Sequence, residues 1–206
     1  MLLNLEKLFC TRGERELFRD FSLFLEQGEI LQIAGPNGSG KTTLLRIICG
    51  LFEADSLNLN WGGESVDSAL RYADELIYVG HRGALRSYLS VAENLAWLAS
   101  LDDVEVEPED IDAVLGKLNL GGYHDELVSN LSAGQRRRVA LARLELSGAK
   151  LWLLDEPFTA LDQAGVEILR DWIDNFVEGG GSVILTTHQQ VAFRSPSYRV
   201  LNLGAA

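Results

Sequence analysis

The sequence predicts an α/β fold built on a parallel sheet, and three observations predict it. A glycine-rich loop, Gly35-Pro36-Asn37-Gly38-Ser39-Gly40-Lys41-Thr42, joins an apolar run to a helical one. A continuous apolar run at 151–154 ends in two adjacent carboxylates, Asp155 and Glu156. A further apolar run at 182–186 follows a helical stripe and Gly179-Gly180-Gly181. Unbroken apolar strands alternating with helical repeats are the pattern of strands buried on both faces of a parallel sheet.

Each element follows in order. Apolar residues at 2–9 and 17–25 flank the charged turn Arg12-Gly13-Glu14-Arg15 and predict antiparallel strands. Residues 29–34 predict a buried strand entering the glycine-rich loop. Residues 42–49 predict the helix leaving it, capped by Gly50. A strand is expected at 76–79. The middle then changes character. Ser90-Val91-Ala92-Glu93 is a capping box, with Val91, Leu95 and Leu98 as the stripe behind it. The acidic run 102–112 reads as a solvated face, followed by a short helix carrying Ile111, Val114, Leu115 and Leu118. Ser132 and Gln135 form an S-x-x-Q box for a helix at 136–146. Val166, Leu169, Ile173 and Phe176 stripe another helix, and 199–203 predicts a last strand. The whole is one domain, 1–206. Its core spans 1–81 and 136–206 and includes an N-terminal antiparallel β subdomain; a helical subdomain is inserted at 82–135.

Bulk properties exclude several classes. The 206 residues carry a net charge of −12, so a nucleic-acid duplex or an anionic lipid surface would repel the chain as a whole. Attachment to a membrane is therefore expected through a protein partner and not a polybasic patch. No apolar run approaches a membrane span, and no secretion signal is expected at the N-terminus. Cys10 and Cys49 have no metal-ligand spacing and read as buried free thiols of a reducing compartment.

The glycine-rich loop is a Walker A phosphate loop. Its glycines let successive N–H groups converge on one anion, and the helix N-terminus adds partial positive charge. Lys41 is the candidate cation for the β- and γ-phosphates, and the Thr42 hydroxyl the candidate Mg²⁺ ligand. Gly35, Pro36, Asn37, Gly38, Ser39, Gly40 and Thr43 complete the expected nucleotide-binding set. Run 151–157 matches a Walker B strand, which makes the core a P-loop NTPase. Asp155 is expected in the Mg²⁺ shell, and Glu156 is expected to orient and polarise the attacking water.

Leu131-Ser132-Ala133-Gly134-Gln135 decides the class. As a capping box it needs no ligand, yet a helix N-terminus headed by Ser and Gly is also an anion site. The order of Walker A, then L-S-x-G-Q, then Walker B resembles ATP-binding-cassette (ABC) ATPases over essentially the whole chain. That resemblance implies ATP and Mg²⁺ as ligands. It also implies that Ser132, Gly134 and Gln135 close over the ATP of a second copy, in a head-to-tail dimer. Thr159-Ala160-Leu161-Asp162 occupies the D-loop position, and His188 matches the switch histidine that contacts the γ-phosphate.

Two positions depart from the family pattern. Gly80-His81 stands where a glutamine is usual. A neutral imidazole can still hold a water at the metal or γ-phosphate, so His81 is a candidate at the metal. The aromatic that stacks on adenine aligns near Arg12, whose guanidinium plane can stack on a base, with Phe9 as the alternative if the turn is shifted.

The compact length, the Gly80-His81 loop, Leu131 to Leu144, Asp155 to Asp162 and Ile184 to Gln189 resemble the haem-exporter ATPase of bacterial cytochrome c maturation systems (CcmA-type). The resemblance implies integral membrane partner subunits, a peripheral place on the cytoplasmic face of the inner membrane, and haem export or release of a haem-loaded chaperone. No residue itself indicates haem. Other readings are the ATPase of another exporter, a non-transport cassette protein acting on ribosomes or DNA, and an inactive scaffold. The acidic charge and the absence of basic arms oppose a nucleic-acid partner. Lys41, Asp155, Glu156 and His188 oppose the scaffold.

Overall fold

The computed structural model describes residues 1–67, 69–81 and 83–204. The expected first residue of the helical insertion, Arg82, and the chain end at 205–206 lie outside the described residues.

The chain opens with the antiparallel hairpin β1 (Leu3–Arg12) and β2 (Arg15–Leu25), turned at Gly13 with φ 62°. β1 pairs on its other edge with β4 (Ser56–Trp61), which continues into the short β5 (Glu64–Ser65). The sheet order is β2-β1-β4-β5. The alternation in Ser56-Leu57-Asn58-Leu59-Asn60-Trp61 suits a half-buried strand, with Leu59 and Trp61 buried.

The second sheet holds β3 (Ile30–Ala34), β6 (Leu76–Val79), β7 (Leu151–Asp155), β8 (Ser182–Thr186) and β9 (Tyr198–Asn202). Its order is β6-β7-β8-β3-β9, and every neighbouring pair is parallel. All five residues of β7 are buried. Their alternation feeds two cores. Leu151 and Leu153 join Leu31, Ile33 and Ile184 beneath α1 (Lys41–Ile48) and the antiparallel sheet. Trp152 and Leu154 join Val183 and Leu185 on the face covered by α5 (Gln163–Glu178), where Trp152 stacks on Phe176 at 3.9 Å. An apolar run without alternating polar residues is thus the consequence of two covered faces. Cys10 is buried and Cys49 only half-buried at the end of α1; both are free thiols whose pKa burial raises.

Three helices form the remaining layer: α2 (Val91–Leu101), α3 (Pro108–Lys117) and α4 (Ala133–Leu146). They pack on one another, and α4 also packs on β6. Ser90 caps α2 reciprocally, Glu93 N–H donating to Ser90 Oγ at 3.1 Å and Ser90 N–H to Glu93 Oε2 at 2.7 Å. Ser90→Ala is expected to lower stability by about 1 kcal/mol in urea unfolding, the usual weight of such a cap. The acidic run is more than a solvated face. Glu109 and Asp110 occupy the first turn of α3 behind Pro108, where negative charge meets the positive helix end. α4 starts three residues before the expected 136, because a box formed by Ser132 and Gln135 makes Gln135 the third helical residue.

Candidate functional site

The glycine-rich loop leaves the C-terminal end of β3 and enters α1, the crevice end where open α/β sheets bind ligands. Gly35, Gly38 and Gly40 have φ of 145°, 79° and 101°. A Cβ on Gly35 would meet Leu203 O at 2.5 Å, and one on Gly40 would meet Phe18 Cζ at 2.7 Å. Both positions therefore require glycine for conformation and for space. Lys41 Nζ donates to Gly35 O at 2.8 Å and Pro36 O at 3.1 Å. Ser39 Oγ is buried with no hydrogen-bond partner.

β7 and β8 bring the acidic strand end to this loop. Thr42 Oγ1 lies 2.9 Å from Asp155 Oδ2 and 3.1 Å from Oδ1. The parallel register aligns Asp155 with Thr186. The Thr186 hydroxyl consequently donates to Asp155 Oδ1 and accepts from Glu156 N–H, both at 2.9 Å. Tyr78 OH stands 3.5 Å from Asp155 Oδ2, and burial raises its pKa, which keeps the phenol a donor. Glu156 adopts φ 49°, in the left-handed region that costs a side-chain-bearing residue about 1 kcal/mol. Its Oε1 is buried without a hydrogen bond and lies 3.4 Å from Nε2 of the exposed His188.

Part of this set lines one cleft of ≈ 540 Å³, within the range of nucleotide-sized sites, whereas Gly35, Pro36, Ser39, Tyr78 and Thr186 do not border it. Asn37, Gly38, Gly40, Lys41, Thr42, Thr43, His81, Asp155, Glu156 and His188 all border it, as does Arg12 from the hairpin. Phe9 does not; it lies under the Arg19 guanidinium at 5.8 Å. Leu17 and Thr159 also border the cleft and were not expected there. Ser132, Gly134 and Gln135 do not line it. They head α4 elsewhere on the chain, and a Cβ on Gly134 would approach Ala160 O to 2.9 Å. Among the described residues, no group of three or more His, Cys, Asp or Glu side chains gathers as a metal site. The candidate metal donors are therefore the Thr42–Asp155 pair, with His81 near.

Sequence reasoning missed Arg137. It is 6% exposed, and its guanidinium donates to Gly80 O (2.8 Å), Asp155 O (3.1 Å), Glu156 O (2.8 Å) and Pro157 O (3.1 Å). In a run of three arginines it reads as surface charge. The available signal was periodicity: Arg137 shares a helix face with the buried Ala140, Leu141 and Leu144.

A phosphate loop whose threonine meets an acidic strand end, in a helix-flanked parallel sheet, defines a P-loop nucleotide-binding protein. Comparison with known proteins is more specific. The profile of the ABC transporter family matches residues 18–159. The cytochrome c biogenesis ATP-binding export protein CcmA of Albidiferax ferrireducens is 44% identical over 204 residues, covering 98% of this chain and 97% of that one. The protein of that name from Photobacterium profundum is 42% identical, covering 98% and 100%. Among solved structures, an ABC transporter ATP-binding protein from Pyrococcus furiosus superposes with TM-score 0.84 at 23% identity over 98% of both chains. The ABC transporter cassette MJ1267 in its ADP conformation superposes with TM-score 0.74 at 22% identity, over 92% and 82%. These two likenesses concern the fold alone. The chain belongs to the ABC transporter family and, within it, to the CcmA cytochrome c biogenesis ATP-binding export proteins. Membership makes it an ATP-binding ATPase subunit.

Proposed function

We propose that this chain energises a cytochrome c biogenesis ABC complex, hydrolysing ATP to drive haem export or to release a haem-loaded chaperone. The observation that carries the reading is end-to-end identity of 42–44% with CcmA proteins, combined with the Thr42–Asp155–Thr186–Glu156–His188 cluster at one cleft. The N–H groups of loop 35–43 and the Lys41 ammonium bind the phosphates. Mg²⁺, when bound, neutralises charge on the β- and γ-phosphate oxygens. One hydroxyl and one carboxylate suit that ion, which takes few protein ligands and completes its shell with phosphate and water. The unpaired buried Glu156 Oε1 at the cleft suits a water there, and the unpaired Ser39 Oγ lies within the phosphate loop beside it. Glu156 takes a proton as water oxygen attacks the γ-phosphorus, and the bond to the β–γ bridging oxygen breaks to release ADP. His188 would contact the γ-phosphate, His81 would hold a water at the metal or γ-phosphate, and the Arg12 guanidinium would stack on the base; all three border the cleft.

Ser132, Gly134 and Gln135 lie away from their own cleft, which supports a head-to-tail dimer in which they close a second copy's site. We place the dimer on the cytoplasmic face of the inner membrane, held there by integral membrane subunits. No helix among the described residues is long and apolar enough to cross a membrane, and the net charge of −12 disfavours direct lipid binding. The surface between His81 and Tyr88 is the part of the domain through which the ATPase cycle is passed to those subunits. Purification from detergent-solubilised membranes, with the attached proteins identified, tests this. Cytochrome c biogenesis membrane subunits are expected to co-purify. Recovery with a different exporter's membrane subunits would overturn the assignment.

A further inference from the structure

Arg137 is a buried cation whose four hydrogen bonds all end on main-chain carbonyls and none on a carboxylate. Burying a guanidinium away from a counter-ion is costly, and burial accordingly lowers its pKa while Asp155 and Glu156 oppose the shift. An apolar residue of similar volume would fill the same space without that cost. The location of the four acceptors explains what the charge does. Asp155 ends β7, Glu156 and Pro157 follow it, and Gly80 follows the neighbouring strand β6 immediately before His81. A planar fork with five donors can hold these carbonyls together, and no other side chain spans them.

Glu156 needs such a hold. Its φ of 49° is strained for a residue with a Cβ, and its peptide is fixed from two sides. Thr186 Oγ1 receives its N–H, and Arg137 Nη2 donates to its C=O. Its side chain has no hydrogen bond on Oε1, so the carboxylate is aimed largely by its backbone. Arg137 meanwhile sits one turn after Gly134 on α4.

We infer that Arg137 is a positioning residue that locks the Glu156 peptide and the Gly80–His81 loop to α4, so that hydrolysis responds to the placement of the Ser132–Gly134 helix end. The inference rests on the role proposed above for Glu156. It assigns Arg137 to the rate of the chemical step and not to nucleotide affinity.

The test uses the full-length chain with MgATP. Arg137→Met keeps an apolar stem and removes the donors. Turnover is expected to fall about 10- to 100-fold, the scale of misplacing a catalytic group by about 1 Å, while ATP affinity stays within about threefold. Arg137→Lys keeps the charge but cannot span four carbonyls, so its turnover should lie between the two. Adding Arg137→Met to Glu156→Gln should cost almost nothing further, because both act on one step. A full multiplicative loss in the double variant, or a loss of affinity equal to the loss of rate, overturns the inference. If Arg137→Met does not fold, Arg137→Lys decides: lowered turnover at unchanged affinity supports the role, and wild-type turnover overturns it. Wild-type turnover in Glu156→Gln alone would instead defeat the assignment of Glu156. A slow Glu156→Gln beside fully active Arg137 variants would defeat only this inference.

Discussion

Glu156→Gln is expected to slow ATP turnover by about 10²–10⁴, the usual weight of a general base, while ATP binding persists. The substitution is nearly isosteric, so the left-handed backbone and its bonds to Thr186 and Arg137 can remain. An amide cannot take the proton from water, and it changes nothing in the loop around Lys41. Phosphate release and equilibrium nucleotide binding, measured on one preparation, separate the two effects. Turnover within a few-fold of wild type would remove Glu156 from the chemistry.

The second large effect is expected at the head of α4. Gly134→Asp places a carboxylate where the partner copy's γ-phosphate would sit, and turnover should collapse through like-charge repulsion and steric block. Nucleotide affinity of the single chain should survive, since the phosphate loop is untouched. Gly134 also faces its own chain, because an added Cβ would come within 2.9 Å of Ala160 O. Loss of turnover in this variant therefore has two possible sources. Ser132→Arg separates them. Ser132 is exposed, and its loss as a helix cap costs only about 1 kcal/mol. It should match Gly134→Asp in lost turnover and retained single-chain affinity. A parallel fall in single-chain affinity in both variants would mean that this segment acts within its own chain.

Local chemistry was legible in the sequence where a short run fixes both backbone and function. The phosphate loop is such a run, because glycine at 35 and 40 is enforced by positive φ and by contacts from Leu203 and Phe18. The strand ending in Asp155 and Glu156 is another, its apolar run marking burial on both faces. What was not legible depends on distant segments meeting. The pairing of β4 with β1 joins residues about fifty positions apart, and no local pattern specifies it. Thr186 enters the site only through the β7–β8 register. Leu17 enters through the fold of the N-terminal hairpin over the phosphate loop. Arg137 was hidden by its two charged neighbours. Side-chain type suggested solvent, and only the helical phase of the residues after it pointed inward.

In the dimer proposed above, two copies of this chain enclose ATP between the phosphate loop of one and the Ser132–Gln135 segment of the other. Analytical ultracentrifugation of Glu156→Gln, with and without MgATP, tests it most directly. A dimer is expected to form with MgATP, to return to monomer when nucleotide is removed, and to fail to form when Ser132→Arg is added. A Glu156→Gln chain that binds MgATP yet sediments as a monomer across the accessible concentration range would contradict it.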